Sequence, residues 1–402
     1  MSDEMENKSI LEYRRKTDMP HRVRDVIYGT MSKALSEYKS FYDGIKMAAL
    51  FDLFVSCEYY GNIASKGWTY CSLQPPMLLY SYTNACPRCL SNLQFKYTKG
   101  NKPGSGQIGV ATTDILCEML SALMRLNESN VEVSKASEPA DAILYEPDTE
   151  TIVLAEIKAS PLLTVPIAAD CDPLTEDVDG VLTLLKHTVA DNPFVRKSDL
   201  FLYFPATRDL PEQRFYLPIE WSDESPFFEA VYGLVLRDEK FLEHFFHFWR
   251  EAFQAYSAKD RENPAFWLTN ACGSPVPRPS DWPKRSGSGY ETVSDAKTSV
   301  GLDRTDDIKK GIYQVLKLGA DFKPNGGNIK VALISNVHAV RHYDEYLQCI
   351  KDVIWTLDET GTAADWEDLP DGKPLYNLFD GIVSFTKSEI RDPEVARIMG
   401  ML

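Results

Sequence analysis

The sequence predicts an α/β fold: a mixed central sheet flanked by helices, with a helical N-terminal unit and a large insertion. Three observations predict it. Residues 139–158 read as two β-like runs around the turn-forming Glu146-Pro147-Asp148-Thr149-Glu150. Residues 112–126, just before them, carry an apolar stripe at helical spacing, Ile115, Met119, Ala122 and Leu126. Residues 305–335 then repeat a helical pattern, a Gly/Pro/Asn linker and a β-like run.

Size and composition set the frame. A chain of 402 residues can bury a sizeable core in two or three substructures. Its 44% hydrophobic and 25% charged content is that of a soluble globular protein. The acidic, polar start, Met1-Ser2-Asp3-Glu4, is unlike a secretory signal. The most apolar stretch, residues 47–55, is interrupted by Asp52 and too short to span a bilayer. A cytoplasmic protein with no membrane partner is expected, its eight cysteines reduced. The formal net charge of −16 opposes nucleic-acid binding unless basic residues cluster locally. Clusters exist at Arg14-Arg15-Lys16, at Lys96, Lys99 and Lys102, at Lys284-Arg285 and at Lys309-Lys310. Solvated surface is the plain reading of each.

In chain order, residues 22–60 read as mostly helical, and residues 61–109 as irregular, closing with a Gly/Pro-rich loop at 101–106. The helix at 112–126 leads into the hairpin. An acidic loop is expected at 170–179, a short helix at 181–189, a buried strand at 200–204, an aromatic helix at 227–256 and a loop at 263–290. Thr305 is placed to cap a helix with Asp306 and Asp307 in its first turn. Ile308, Ile312, Val315 and Leu316 form its apolar stripe, and Lys310, Gln314 and Lys317 a polar one. Residues 329–335 read as a buried strand, 343–357 as helix and 381–385 as strand. This divides the chain into a helical, Cys-containing unit (1–110), a first core part (111–205), an insertion (206–300) and a second core part (301–402).

The hairpin carries the chemistry. Strand side chains alternate faces, so Glu156 and Lys158 share one. Pairing of the two runs brings Asp141 beside them. Two carboxylates and an amine would meet: two ligands for a divalent cation, and a group to orient or activate a water. Phosphodiester hydrolysis needs this set, because charge on the phosphate must be neutralised and a nucleophile generated near neutral pH. The bland alternative is an edge hairpin with solvated charges. The apolar run around Glu156 and Lys158 counts against it, since buried charges need partners.

The pattern Pro139-Ala140-Asp141, fourteen residues, then Glu156-Ile157-Lys158, resembles the PD-(D/E)XK nuclease superfamily. Ala140, between the Pro and the Asp, is a departure, though the proline is not a metal ligand. The resemblance implies a restriction-endonuclease-like core in which Asp141 and Glu156 bind Mg2+ and Lys158 contacts the attacking water or the scissile phosphate. Glu118, on the preceding helix, matches an assisting carboxylate. The motif strand of this superfamily is followed by a helix and another strand. Residues 305–335 are favoured for these over residues 200–204, and the helix would turn Lys310, Gln314 and Lys317 to the site or DNA. Lys96 and Lys99 are further candidates for DNA contact. Within this resemblance, standalone size and the absence of helicase or methyltransferase motifs fit a type II restriction endonuclease. Such an enzyme would be a homodimer cutting a specific double-stranded DNA sequence to 5′-phosphate and 3′-hydroxyl ends, with a cognate DNA methyltransferase as functional partner. The rival readings are a repair or structure-specific nuclease of the same fold, a non-catalytic zinc-stabilised binding protein, and an acidic α/β protein whose Glu-x-Lys is accidental.

A second constellation is Cys86-Pro87-Arg88-Cys89, half of a tetrahedral zinc knuckle, which Cys57 and Cys71 could complete as a structural Zn2+ site. Small buried thiols are the alternative. His244 and His247 read as packing residues on the aromatic helix. No phosphate-cradling Gly-rich loop and no nucleophile elbow is found, which disfavours an ATP-driven nuclease.

Overall fold

A computed structural model of the chain describes residues 9–64, 69–70, 77–80, 105–170, 175–178, 181–184, 197–207, 209–258, 300–325, 328–340, 342–365 and 371–399. The chain divides into two compact units. The first comprises Met1–Met19, Thr112–Ser160 and Gly301–Leu402, and the second Pro20–Ala111 and Pro161–Val300.

The first unit is α/β. Its strands are β1 (Arg14–Arg15), β2 (Glu132–Ala136), β3 (Ala142–Glu146), β4 (Thr151–Ile157), β5 (Ile329–Ser335), β6 (Gly381–Ser384) and β7 (Glu389–Ile390). They form one seven-stranded mixed sheet in chain order. β4, β5 and β6 run parallel, and the other neighbours are antiparallel. The helices are α1 (Ser105–Leu126), of which Thr112 onward belongs to this unit, α2 (Thr305–Phe322) and α3 (Pro393–Met399). β4 is buried at every residue, as a strand central to a covered sheet must be. α2 buries Ile308, Gly311, Val315 and Leu318. The same core takes in Leu154 from β4 and Leu333 from β5.

The β3–β4 hairpin forms with Ala142 opposite Ala155 and Glu146 opposite Thr151. Its turn needs a left-handed residue, and Glu150 supplies it at φ 51°. Residues 329–335 are the parallel partner of β4, Ala332 standing opposite Ala155. Residues 200–204 pair elsewhere, in the second unit.

Several local expectations are corrected. Arg304, not Thr305, takes the cap position of α2, without a side-chain cap bond, although Asp306 and Asp307 do lie in the first turn. Leu316 is 44% exposed. The buried stripe follows Ile308, Gly311, Val315 and Leu318 instead, because the glycine admits the sheet. Residues 343–357 are not one helix: a π-helical turn, Tyr343–Leu347, is followed by the strand Ile354–Trp355 paired with Tyr376–Asn377. The β-branched and aromatic run Val353-Ile354-Trp355-Thr356 favours a strand. Residues 181–184 are likewise a strand, paired with Thr175–Val178 in the expected acidic loop. The region expected to be irregular, 61–109, holds the strands Thr69–Tyr70 and Met77–Tyr80, and α1 begins within it at Ser105; residues 65–68, 71–76 and 81–104, and the loop expected at 263–290, lie outside the described residues.

The second unit contains the helices His21–Glu37, Asp43–Ala64, Pro226–Arg237 and Glu239–Ser257. The expected aromatic helix is two helices, broken at Asp238, whose side chain accepts from the Lys240 amide. This unit also holds an antiparallel sheet ordered Gln213–Tyr216, Leu200–Phe204, Ile167–Ala169, Met77–Tyr80 and Thr69–Tyr70. Phe204 packs against Phe241, Phe245, Phe248 and the His244 ring, so His244 is a packing residue. Burial lowers its pKa to about 4. Residues 161–205 belong to this unit rather than with the hairpin. The reason is local: Asp52 Oδ2 accepts from the Leu163 amide at 3.0 Å and from Trp249 Nε1 at 2.7 Å. Ser56 Oγ accepts from the Val165 amide at 3.0 Å. No described helix is long and apolar enough to cross a membrane.

Candidate active site

The site lies in the first unit where the parallel strands at the middle of the sheet end. The hairpin register sets Asp141, just before β3, across from Glu156. Its amide donates to the Ala155 carbonyl at 3.1 Å, and its Oδ2 accepts from the Ile157 amide at 2.9 Å. Lys158 follows β4 directly, its amide bonded to the Ile334 carbonyl at 2.9 Å. Two residues later, Ser160 is clamped by the Asn336 side chain, which accepts from its amide at 3.1 Å and donates to its carbonyl at 2.8 Å. The Gly301 amide also donates to that carbonyl, at 3.1 Å. The backbone bearing all three site residues is therefore held on both sides.

Lys158 Nζ bonds Glu156 Oε1 and stands 3.6 Å from Asp141 Oδ2. The Glu156 side chain is 8% exposed and that of Asp141 37% exposed. Burial, then the Asp141 charge, push the Glu156 carboxyl above its usual range, and Lys158 opposes them. Burial would lower the Lys158 ammonium, but Asp141, Glu156 and Asp307 outweigh it and hold it above the ordinary lysine value. The expected trio thus meets, with an ammonium between two carboxylates.

The two helices approach from opposite faces. Lys135, Ala142 and Ala155 stand in register on one face. α1 reaches that face through Asp114, whose Oδ1 lies 2.7 Å from Lys135 Nζ. Glu156 and Lys158, one and three residues beyond Ala155, point to the other face, where α2 lies. A β-carbon on Gly311 of α2 would stand 3.5 Å from Lys158 Cγ.

Glu118, on α1, accepts a hydrogen bond from Thr17 Oγ1. Its charge and those of Asp114 and Asp141 add to burial in raising the pKa of the Cys117 thiol. On α2, Lys310 and Lys317 are exposed and Gln314 is half-buried. Cys57 is buried within the helix Asp43–Ala64, its Sγ 3.8 Å from the Phe227 carbonyl, and burial raises its pKa. Cys71, Cys86, Cys89, Lys96 and Lys99 lie outside the described residues. Among the described residues no group of three or more His, Cys, Asp or Glu is arranged to hold a metal ion.

Two features escaped the sequence reading. Asp114 and Lys135 form an ion pair, and burial raises the Asp114 pKa against that lysine's pull. Asp307 adds a third carboxylate charge around Lys158. A signal for the second was present: a glycine inside a helical pattern marks close approach of a neighbour, and Gly311 lies one turn from Asp307. Comparison of the chain with family models, with curated proteins and with solved structures finds no match.

Proposed function

We propose that the chain is a Mg2+-dependent DNA endonuclease of the PD-(D/E)XK kind, acting on a specific duplex sequence as a type II restriction enzyme and working as a homodimer. The observation that carries this reading is the meeting of Asp141, Glu156 and Lys158 where the parallel strands of a mixed sheet end, on a hairpin whose next neighbour is a parallel strand.

The donor set fits the ion. Mg2+ takes hard oxygen ligands, keeps several waters and needs one or two carboxylates. Asp141 and Glu156 offer these, and the Lys158 ammonium already fills the demand for positive charge between them. When bound, the ion would neutralise phosphate charge and lower the pKa of a bound water.

Lys158 would hold the attacking water and stabilise charge gathering on the phosphate. Asp141 would keep its bond to the Ile157 amide and so fix the hairpin edge during the reaction. The water oxygen forms the new bond to phosphorus as the bond to O3′ breaks. One water proton passes to solvent and O3′ takes one up, which leaves 5′-phosphate and 3′-hydroxyl ends. Lys310 and Lys317, exposed on α2 with Gln314 beside them, would contact phosphate.

The deciding experiment incubates the purified chain with a large unmethylated DNA, with Mg2+ and with EDTA. Discrete fragments that need Mg2+ are expected. A Mg2+-dependent smear, or cutting only at branched or damaged DNA, would make it a structure-specific nuclease of the same fold. Intact DNA under every divalent ion would sink the nuclease reading.

A further inference from the structure

Lys158 leaves β4 beneath α2, where Gly311 makes room for Leu333 and lies beside the lysine stem. A β-carbon there would stand 3.5 Å from Lys158 Cγ and 2.9 Å from Leu333 Cδ1. Asp307 lies four residues before Gly311, one turn along the same helix face. Its side chain is 28% exposed, and its described ion-pair partner, Arg304, lies at 3.5 Å with a side chain 55% exposed. A pair that exposed is a weak hold on the carboxylate. Asp307 thus faces the lysine from the helix, while Asp141 and Glu156 face it from the hairpin.

The ammonium now stands where a cation bound by both hairpin carboxylates would need to be. Like charges repel strongly at such separations in a partly buried site. A divalent cation entering there must displace the ammonium, and the displaced charge needs another carboxylate within reach of the same flexible stem. Of the α2 acids Asp306, Asp307 and Asp321, Asp307 shares the Gly311 face, and its charge acts on Lys158.

We propose that Asp307 is a positioning residue for Lys158: when Asp141 and Glu156 take a divalent cation, the ammonium moves to the Asp307 carboxylate, which holds it beside the site. This rests on the metal reading given above. Asp307 touches neither the cation nor the reacting atoms, and it acts through the lysine.

The test is Mn2+ binding to the full, DNA-free chain by electron paramagnetic resonance, in a double-mutant cycle of Asp307→Asn and Lys158→Met. Asp307→Asn should weaken Mn2+ binding by about threefold or more in the natural background and by less than about 1.5-fold in the Lys158→Met background. Asp307→Glu should restore the natural affinity. An equal loss in both backgrounds overturns the proposal, because it would report only the charge removed. No loss in the natural background overturns it as well. Failure of all these forms, including Lys158→Met, to bind Mn2+ overturns the metal reading and the proposal with it. Binding that ignores Asp307 overturns the proposal alone.

Discussion

Asp141 Oδ2 accepts the Ile157 amide at 2.9 Å and is also the Asp141 oxygen in the 3.6 Å ion pair with Lys158 Nζ. One carboxylate therefore closes the hairpin and faces the site. Substitution separates the two roles. Asp141→Asn keeps an acceptor for the amide and should hold stability within about 0.5 kcal/mol. Asp141→Ala leaves the amide without that partner and should cost about 1–2 kcal/mol. Both should lower DNA cleavage by about a thousandfold. Urea denaturation reads the first effect, and nicking of supercoiled plasmid with Mg2+ the second. Cleavage by Asp141→Asn at the natural rate would remove Asp141 from catalysis.

At the opposite end of β5, Lys323 Nζ lies 2.6 Å from Asp380 Oδ2, and each side chain is 4% exposed. Asp380 Oδ2 also accepts from the Val331 amide at 2.7 Å, so the pair ties the end of α2 to the sheet. Burial lowers the lysine's pKa against the carboxylate's pull. Lys323→Met should destabilise the chain by about 3–5 kcal/mol, since it strands a buried carboxylate. Adding Asp380→Asn should recover more than half of that. Urea midpoints of the two variants check both statements, and a loss below about 1 kcal/mol for Lys323→Met would show the pair to be inert.

The hairpin and the meeting of its three charged side chains were legible because short-range rules determine them. The alternation that buries Ile152 and Leu154 carries on to Glu156 and Lys158, and the turn residues set the register. The parallel partner Ile329–Ser335 was legible as a continuous apolar run after a helix. Asp307 was not, because its direction depends on how α2 is rotated about its axis. That rotation is set by Gly311 against Leu333, a contact between residues far apart in sequence. The same rotation exposes Leu316. Residues 343–357 misled for another reason: their helical spacing is real, but Trp355 pairs with Tyr376, and long-range pairing outweighs local periodicity.

In the second unit, Asp52 is buried, and that burial raises its carboxyl well above the usual value of 3.8 despite bonds from Trp249 and Leu163. The native form therefore holds this proton more tightly than the unfolded chain does. The stability it contributes is complete below pH 3.8 and is lost as pH rises through the folded value. Asp52→Asn cannot titrate and keeps an acceptor for both donors. Relative to this variant, the natural chain should lose about 1.4 kcal/mol per pH unit from about pH 4 upward, until the folded value is passed. Urea midpoints of both proteins across pH 4 to 8 test this, and parallel profiles would show that Asp52 titrates alike in both states.

The last prediction concerns how so acidic a chain would hold DNA. A formal charge of −16 requires local contacts, and Lys310 and Lys317 stand exposed on the face of α2 turned away from the core. Seven residues apart on a helix, they lie two turns along one side. Each lysine that neutralises a phosphate releases condensed counterions, which steepens the salt dependence of binding by about 0.9. Lys310→Ala with Lys317→Ala should therefore make the slope of log affinity against log salt shallower by about 1.8, with weaker binding across all duplex sequences. Neither side chain is packed in the core, so thermal stability should stay within about 0.5 kcal/mol of the natural value. Fluorescence anisotropy on a labelled duplex in Ca2+ from 50 to 300 mM salt measures the slope without cleavage. An unchanged slope would move the DNA contacts off α2, whatever the outcome at Asp141.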